Sequence, residues 1–192
     1  MRKTVGVMGS AGGALSPTAL DRSYQLGRAI GRHDCTIVTG ACPGLPHEAV
    51  LGAKAEGALV VGISPALSLD EHIVRYRSPY LEYDVMIYTG SGLMGREITS
   101  IRSCDVVVLC GGRSGTLGEF AIAYDEGKLI GILEGTGGIA DHLREVVAMI
   151  QKETRAAVHY DDDPEALISA LLAEHEKRVA SGTAYLPPEA DG

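Results

Sequence analysis

An α/β chain with a doubly wound parallel sheet and helices on both faces is the fold class this sequence predicts, and three observations predict it. Short apolar runs of strand length alternate along the chain with segments of helical period. Three of those runs end in glycine turns, at Gly9, Gly40 and Gly111, as strand-to-helix corners do. The composition agrees: 192 residues, 45% of them hydrophobic, can bury one sizeable core. The 25 glycines and 5% aromatics suit tight corners and thin helix–sheet contacts better than an aromatic-rich β core.

In chain order, Thr4-Val5-Gly6-Val7-Met8 reads as the first strand, followed by the turn Gly9 to Gly13. Ser16-Pro17 reads as a helix N-cap with proline at the first helical position. Leu20, Tyr24, Gly27 and Gly31 mark the inner face of that helix. Cys35 to Thr39 is the second strand, and Gly40 to Pro46 leads into a helix with Ala49, Val50 and Ala53. Ala58 to Ile63 is the third strand. From Ser64 to Asp84 the period is lost, so this stretch is expected to be a long irregular excursion serving as a lid or an interface.

Val85 to Tyr88 resumes as a strand, and Met94 to Ser103 reads as a helix bearing Arg96, Glu97 and Arg102. Val106 to Leu109 is another apolar run. A strand at Leu129 to Leu133, one helix carrying Ile139, Leu143, Val146, Val147 and Ile150, and a short strand at Ala156 to Tyr160 follow. Asp163-Pro164-Glu165 caps a last helix with Leu167, Leu171 and Leu172 inside. Residues 1–180 are thus expected to form a single domain, with 181–192 a loose tail.

In a sheet of this kind the ligand lies beyond the carboxyl ends of the strands, where all three glycine turns belong. The richest of them is Cys110-Gly111-Gly112-Arg113-Ser114-Gly115-Thr116-Leu117-Gly118-Glu119-Phe120. Its glycines admit close backbone approach, Ser114 and Thr116 supply hydroxyls, and a helix starting near Gly115 would aim free N–H groups at a phosphate. Leu117, Phe120, Ala121 and Tyr124 form the stripe expected to face the core. Glu119 turns another way and, near the positive helix end, is expected to stay ionised.

Other readings fall away on the same residues. No glycine loop ends in Gly-Lys-Ser or Gly-Lys-Thr, which excludes a Walker P-loop, and the second strand ends Val38-Thr39-Gly40 without the acidic residue of a dinucleotide site. The net charge of -8 argues against nucleic acid. No apolar stretch approaches the roughly 20 residues of a membrane span, and Met1-Arg2-Lys3 leads into a strand rather than a secretory segment, so a cytoplasmic protein is expected. Cys35, Cys42, Cys104 and Cys110 form no C-x-x-C pair and read as reduced thiols, with Cys42 the exposed one. The six histidines are scattered as solvent-facing or structural residues, and neither a metal nor a cofactor is expected.

An arginine on the helix before the strand, Arg96, followed by Gly111-Gly112-Arg113-Ser114-Gly115-Thr116-Leu117-Gly118-Glu119, resembles the signature of the Lonely Guy (LOG) family and its relatives, including the molybdenum cofactor carrier proteins. The resemblance spans roughly residues 4 to 152. Gly-Thr-x-x-Glu keeps its spacing, Gly9-Ser10 resembles the first phosphate or base contact, and Gly40 to Gly44 the second glycine loop. It implies a Rossmann-like homodimer that binds a nucleoside 5′-monophosphate. In the enzymatic branch, a phosphoribohydrolase, it also implies cleavage of the N-glycosidic bond to free base and ribose 5-phosphate.

On that resemblance Arg96 and Glu119 are the catalytic residues: Arg96 clamps the phosphate or ribose, and Glu119 stabilises positive charge at the anomeric carbon. The binding residues are Gly9, Ser10, Gly40, Gly44, Gly111, Gly112, Arg113, Ser114, Gly115 and Thr116. The chain also departs from the LOG enzymes. Gly111 replaces a proline, Arg113 a glycine, Glu97 the lysine of an Arg-Lys pair, and Ala41-Cys42 two glycines. These departures resemble the carrier branch, a non-catalytic binder of nucleotide or molybdenum cofactor. The lysine decarboxylase label once given to some members finds no pyridoxal-phosphate lysine site here.

Overall fold

The structure is a computed structural model that describes residues 1–150 and 152–184. Its frame is one seven-stranded, wholly parallel sheet in the order β4-β3-β2-β1-β5-β6-β7. The strands are β1 (Thr4–Gly9), β2 (Thr36–Thr39), β3 (Val60–Ser64), β4 (Val85–Tyr88), β5 (Val106–Cys110), β6 (Leu129–Leu133) and β7 (Ala157–Asp161). Between them run α1 (Pro17–Arg32), α2 (Leu45–Ala55), α3 (Leu69–Val74), α4 (Gly92–Arg102), α5 (Ser114–Asp125), α6 (Leu143–Met149) and α7 (Pro164–Ala180).

The central strands β5 and β6 are buried along their whole length because helices cover both sheet faces, which is why their residues read as unbroken apolar runs. On one face α1, α2 and α7 pack on Val5, Val7, Ile37, Val106 and Val108. On the other, α4, α5 and α6 cover Met8, Val38, Ile63, Val107, Leu109 and Ile132. Helices α1 and α2 approach so closely that a β-carbon at Gly27 would strike the backbone of Ala49, and one at Gly52 the carbonyl of Tyr24.

The helix starts follow the sequence. The Ser16 hydroxyl accepts from the Ala19 amide (3.1 Å), and the Asp163 carboxylate from the amides of Glu165 (2.8 Å) and Ala166 (3.1 Å). Three expectations change. The stretch 64–84 is not irregular throughout: Ser68 caps the short helix α3, whose apolar period is too brief to register in six residues. It is pinned by the fully buried His72, which contacts the Ser64 hydroxyl at 2.8 Å and the Pro79 carbonyl at 3.0 Å.

The helix expected from Ile139 is split into a 3-10 turn at Ala140–His142 and α6, and the Ile139 and Ala140 amides at its start donate instead to the Gly112 and Gly111 carbonyls of the corner after β5. Finally, Leu117 and Ala121 face outward, and the buried face of α5 consists of Thr116, Glu119, Phe120, Ala123 and Tyr124. Of the tail expected from Ser181, Thr183 and Ala184 hydrogen-bond back to the Arg178 carbonyl, and residues 185–192 lie outside the described ones.

Because no side chain fits between α1 and α2, Gly27→Ala is expected to force them apart and cost about 1–3 kcal/mol. Urea unfolding of the two proteins measures this.

Candidate functional site

The strand order reverses direction between β1 and β5, so the corner after β1 turns to one face and the corner after β5 to the other. The gap between them, widened by the end of β2 and the start of α4, is a cleft of about 500 Å³, a size that suits a small ligand. Ser10, Gly40, Cys42, Arg96, Glu97, Thr116 and Glu119 are among its lining residues.

Ser10 ties three corners together. Its amide donates to the Cys110 carbonyl (3.2 Å), its carbonyl accepts from the Leu45 amide (2.9 Å), and its hydroxyl accepts from the Gly112 amide (2.5 Å). Gly44 sits at φ 82°, and a β-carbon there would collide with the Ser10 carbonyl. The Gly111 amide donates to the Thr136 hydroxyl (2.8 Å), and the Gly111 and Gly112 carbonyls accept from Ala140 and Ile139.

The binding residues expected from sequence therefore divide. Gly9, Ser10, Gly40, Arg113, Ser114, Gly115 and Thr116 line the cleft, whereas Gly44, Gly111 and Gly112 lie behind it and hold its corners. The donors left facing the cleft are the first amides of α5, at Ser114, Gly115 and Thr116. No side chain caps this helix start.

Arg96 enters from α4 and is 8% exposed. Its guanidinium passes over Gly40, where even a methyl group would occupy the same space. Nη1 donates to the Ile63 carbonyl at 3.3 Å, and Nε is buried without a hydrogen-bond partner. The neighbouring Ala41 is held at φ 49°, with its amide bonded to the Thr39 hydroxyl (3.1 Å). A left-handed non-glycine residue stores strain beside the site.

Glu119, expected to stay ionised, instead has its carboxyl pushed up to about 7. Burial is the main cause. The Arg96 guanidinium pulls the other way, and Glu97 pushes further up. The weak field of a helix start is outweighed by loss of water around a side chain that is 7% exposed. Glu97, equally buried, is also raised by burial and lowered by Arg96. Cys42, half-buried in the cleft, is a raised thiol for the same dominant reason, with Arg96 opposing.

Glu97, a departure from the Arg-Lys pair in the sequence, is a buried lining residue of the cleft that the sequence pattern of α4 does not reveal. The small residues Gly115 and Gly118, one turn apart on the facing helix, are the sequence signal that could have pointed to it. Leu93 and Met94, exposed at the mouth, carried no such signal. Among the described residues no group of three or more His, Cys, Asp or Glu side chains could hold a metal ion. No helix among them is long and apolar enough to cross a membrane.

Arg96 and Glu119 both line this cleft, and comparison with known proteins bears out the resemblance drawn from their motif. Residues 2–168 match the SLOG cluster4 family. The chain belongs to that family. An uncharacterized protein of Archaeoglobus fulgidus is 29% identical over 131 residues, 68% of this chain and 79% of that one.

Among solved structures, the molybdenum cofactor binding protein of Rippkaea orientalis is 29% identical with a TM-score of 0.73, over 91% of this chain and 98% of that one. The molybdenum cofactor carrier protein of Chlamydomonas reinhardtii is 28% identical with a TM-score of 0.71, over 90% and 99%. DNA processing protein A of Helicobacter pylori, at 19% identity, a TM-score of 0.62 and coverage of 90% and 81%, shares the fold alone. This SLOG cluster4 protein thus has a LOG-like and carrier-like Rossmann architecture.

A carboxyl raised in the folded state from its ordinary 4.5 to about 7 gives the folded chain the extra proton between those values. Stability is therefore fullest below about 4.5 and declines as pH rises to about 7. Glu119→Gln removes the group and is expected to be more stable than the wild type by about 3 kcal/mol at pH 8 and by little at pH 4.5. Urea unfolding at the two pH values measures the difference, and equal differences at both would reject it.

Proposed function

We propose that this protein is a carrier-type binder of a phosphorylated small molecule of nucleotide or pterin-cofactor size, its phosphate against the first turn of α5. The observation that carries this reading is the set of uncapped amides at Ser114, Gly115 and Thr116, facing a cleft whose other wall holds the buried Arg96. Amides at a helix start and a guanidinium with spare donors recognise an anion, and the cleft has room for the attached ring system. Further support comes from the two molybdenum cofactor proteins above, which match over nine-tenths or more of both chains. Arg113, Glu97 and Ala41-Cys42 depart from the hydrolase pattern.

Thermal unfolding with AMP, GMP and molybdopterin tests the proposal. A ligand at 100 times its dissociation constant is expected to stabilise the protein by roughly 2.7 kcal/mol. Thr116→Ala is expected to weaken phosphorylated ligands and to spare the matching nucleosides. No shift with any of them removes the proposal, and equal losses for nucleotide and nucleoside place the phosphate elsewhere.

A second reading, the nucleoside 5′-monophosphate phosphoribohydrolase, is favoured by the convergence of Arg96 and Glu119 on one cleft. In it the bond from the base nitrogen to the anomeric carbon breaks, the electron pair leaves with the base, which takes a proton, and water supplies oxygen to the carbon. An ionised Glu119 would stabilise the positive charge that develops there. Release of free base from a nucleoside monophosphate that is lost at least about a hundredfold in kcat in Glu119→Gln would establish it. Tight binding without release supports the carrier.

A homodimer belongs to the same proposal. Val85 and Ile87 of the edge strand β4 pair in register with Val61 and Ile63, and so lie on the sheet face that carries α4 and α5. They are 44% and 45% exposed there. Met94 and Ile98 of α4, with Leu67, Val74 and Leu81 from the 64–84 stretch, add further exposed apolar side chains. An uncovered strand face and an apolar helix stripe can cover each other across a two-fold axis. Light scattering is expected to give twice the 20.1 kDa chain mass at micromolar concentration, and the monomer mass ends this part of the proposal.

A further inference from the structure

Glu97 reaches from α4 to the first turn of α5. A β-carbon at Gly115 would lie 3.6 Å from its Oε1, and one at Gly118 would lie 3.4 Å from its Oε2, ordinary contact distances that place the carboxylate directly against this face of α5. The side chain is 7% exposed and lines the cleft. Gly115 is also one of the three residues whose uncapped amides form the anion seat. A buried carboxylate therefore borders the place where an anion is held, and the two compete for the same positive helix end.

The charged groups around Glu97 do not remove that conflict. Arg96, on its own helix, is shared among Glu97, Glu119 and the Cys42 thiol, and each of the three feels it as an opposing charge. Glu119, from α5, is a second acid on the same guanidinium. Arg113, at the N-cap of α5, is exposed, so water weakens its contribution. A dianion at the α5 start would thus face an adjacent carboxylate with one buried cation to offset both acids.

We propose that Glu97 sets the charge of the anion this seat accepts: a singly charged phosphate, either a diester or a monoester that keeps one proton, binds in preference to a dianionic monoester. The proposal rests on the reading that the α5 start holds a phosphate. Like charges a few ångströms apart in a partly desolvated cleft repel by enough to change affinity about tenfold or more.

The test compares AMP with its 5′-methyl ester by calorimetry at pH 8, where the AMP phosphate is a dianion and the ester a monoanion. Wild-type protein is expected to bind the ester more tightly than AMP. Glu97→Gln is expected to shift the affinity ratio toward AMP by about tenfold or more. Glu97→Ala, which removes the carboxylate without adding an amide donor, is expected to shift the ratio the same way. Because the ratio is taken within each protein, a general change in stability cancels. An unchanged ratio in both variants, or a loss of AMP affinity in both, overturns the proposal while leaving the phosphate seat in place. Binding of neither AMP nor ester by any of the three proteins overturns the seat and the proposal together.

Discussion

The burial of one guanidinium organises this cleft. Arg96 carries a charge that the surrounding sheet and helices cannot hydrate, and burying such a charge is costly unless acids and carbonyls surround it. The structure supplies both. The Ile63 carbonyl accepts from it, and two buried carboxylates and a thiol lie within its field. Its path is open only because Gly40 has no side chain, so a corner glycine at the end of β2 is as necessary to the site as the arginine itself. Its Nε is buried without a hydrogen-bond partner, a cost the fold does not offset.

That arrangement explains why Glu119 titrates so far above an ordinary carboxylate. One cation opposes two buried acids, and burial outweighs the attraction. A cleft built on such a balance costs stability at neutral pH.

The corners carry a second constraint. Ser10, in the corner after β1, bonds to the corners after β2 and β5, which fixes the three corners that border the cleft relative to one another. Gly111 and Gly112 serve this frame with their amides, and their left-handed backbone, at φ 59° and 94°, is what turns the chain sharply enough to do so. Leu93 and Met94 of α4 both line the cleft and belong to the exposed apolar residues around β4 and α4.

Alternation of apolar runs and helical segments determined the parallel sheet, its seven strands and the corners on one rim, because those features follow from periodicity and turn chemistry within short windows. Arg96, Thr116 and Glu119 were legible through spacing, and Ser16 and Asp163 through capping. The ionisation of Glu119 and the burial of Glu97 in the cleft were decided only by tertiary structure, since desolvation depends on what residues distant in sequence pack around a group. Leu117 and Ala121 show the same limit: their spacing suits an inward stripe, but the angle at which α5 meets the sheet turns Thr116 and Glu119 inward instead. Which glycine amides face a ligand and which hold a neighbouring corner is likewise a matter of partners 25 to 102 residues away, beyond the reach of any local pattern.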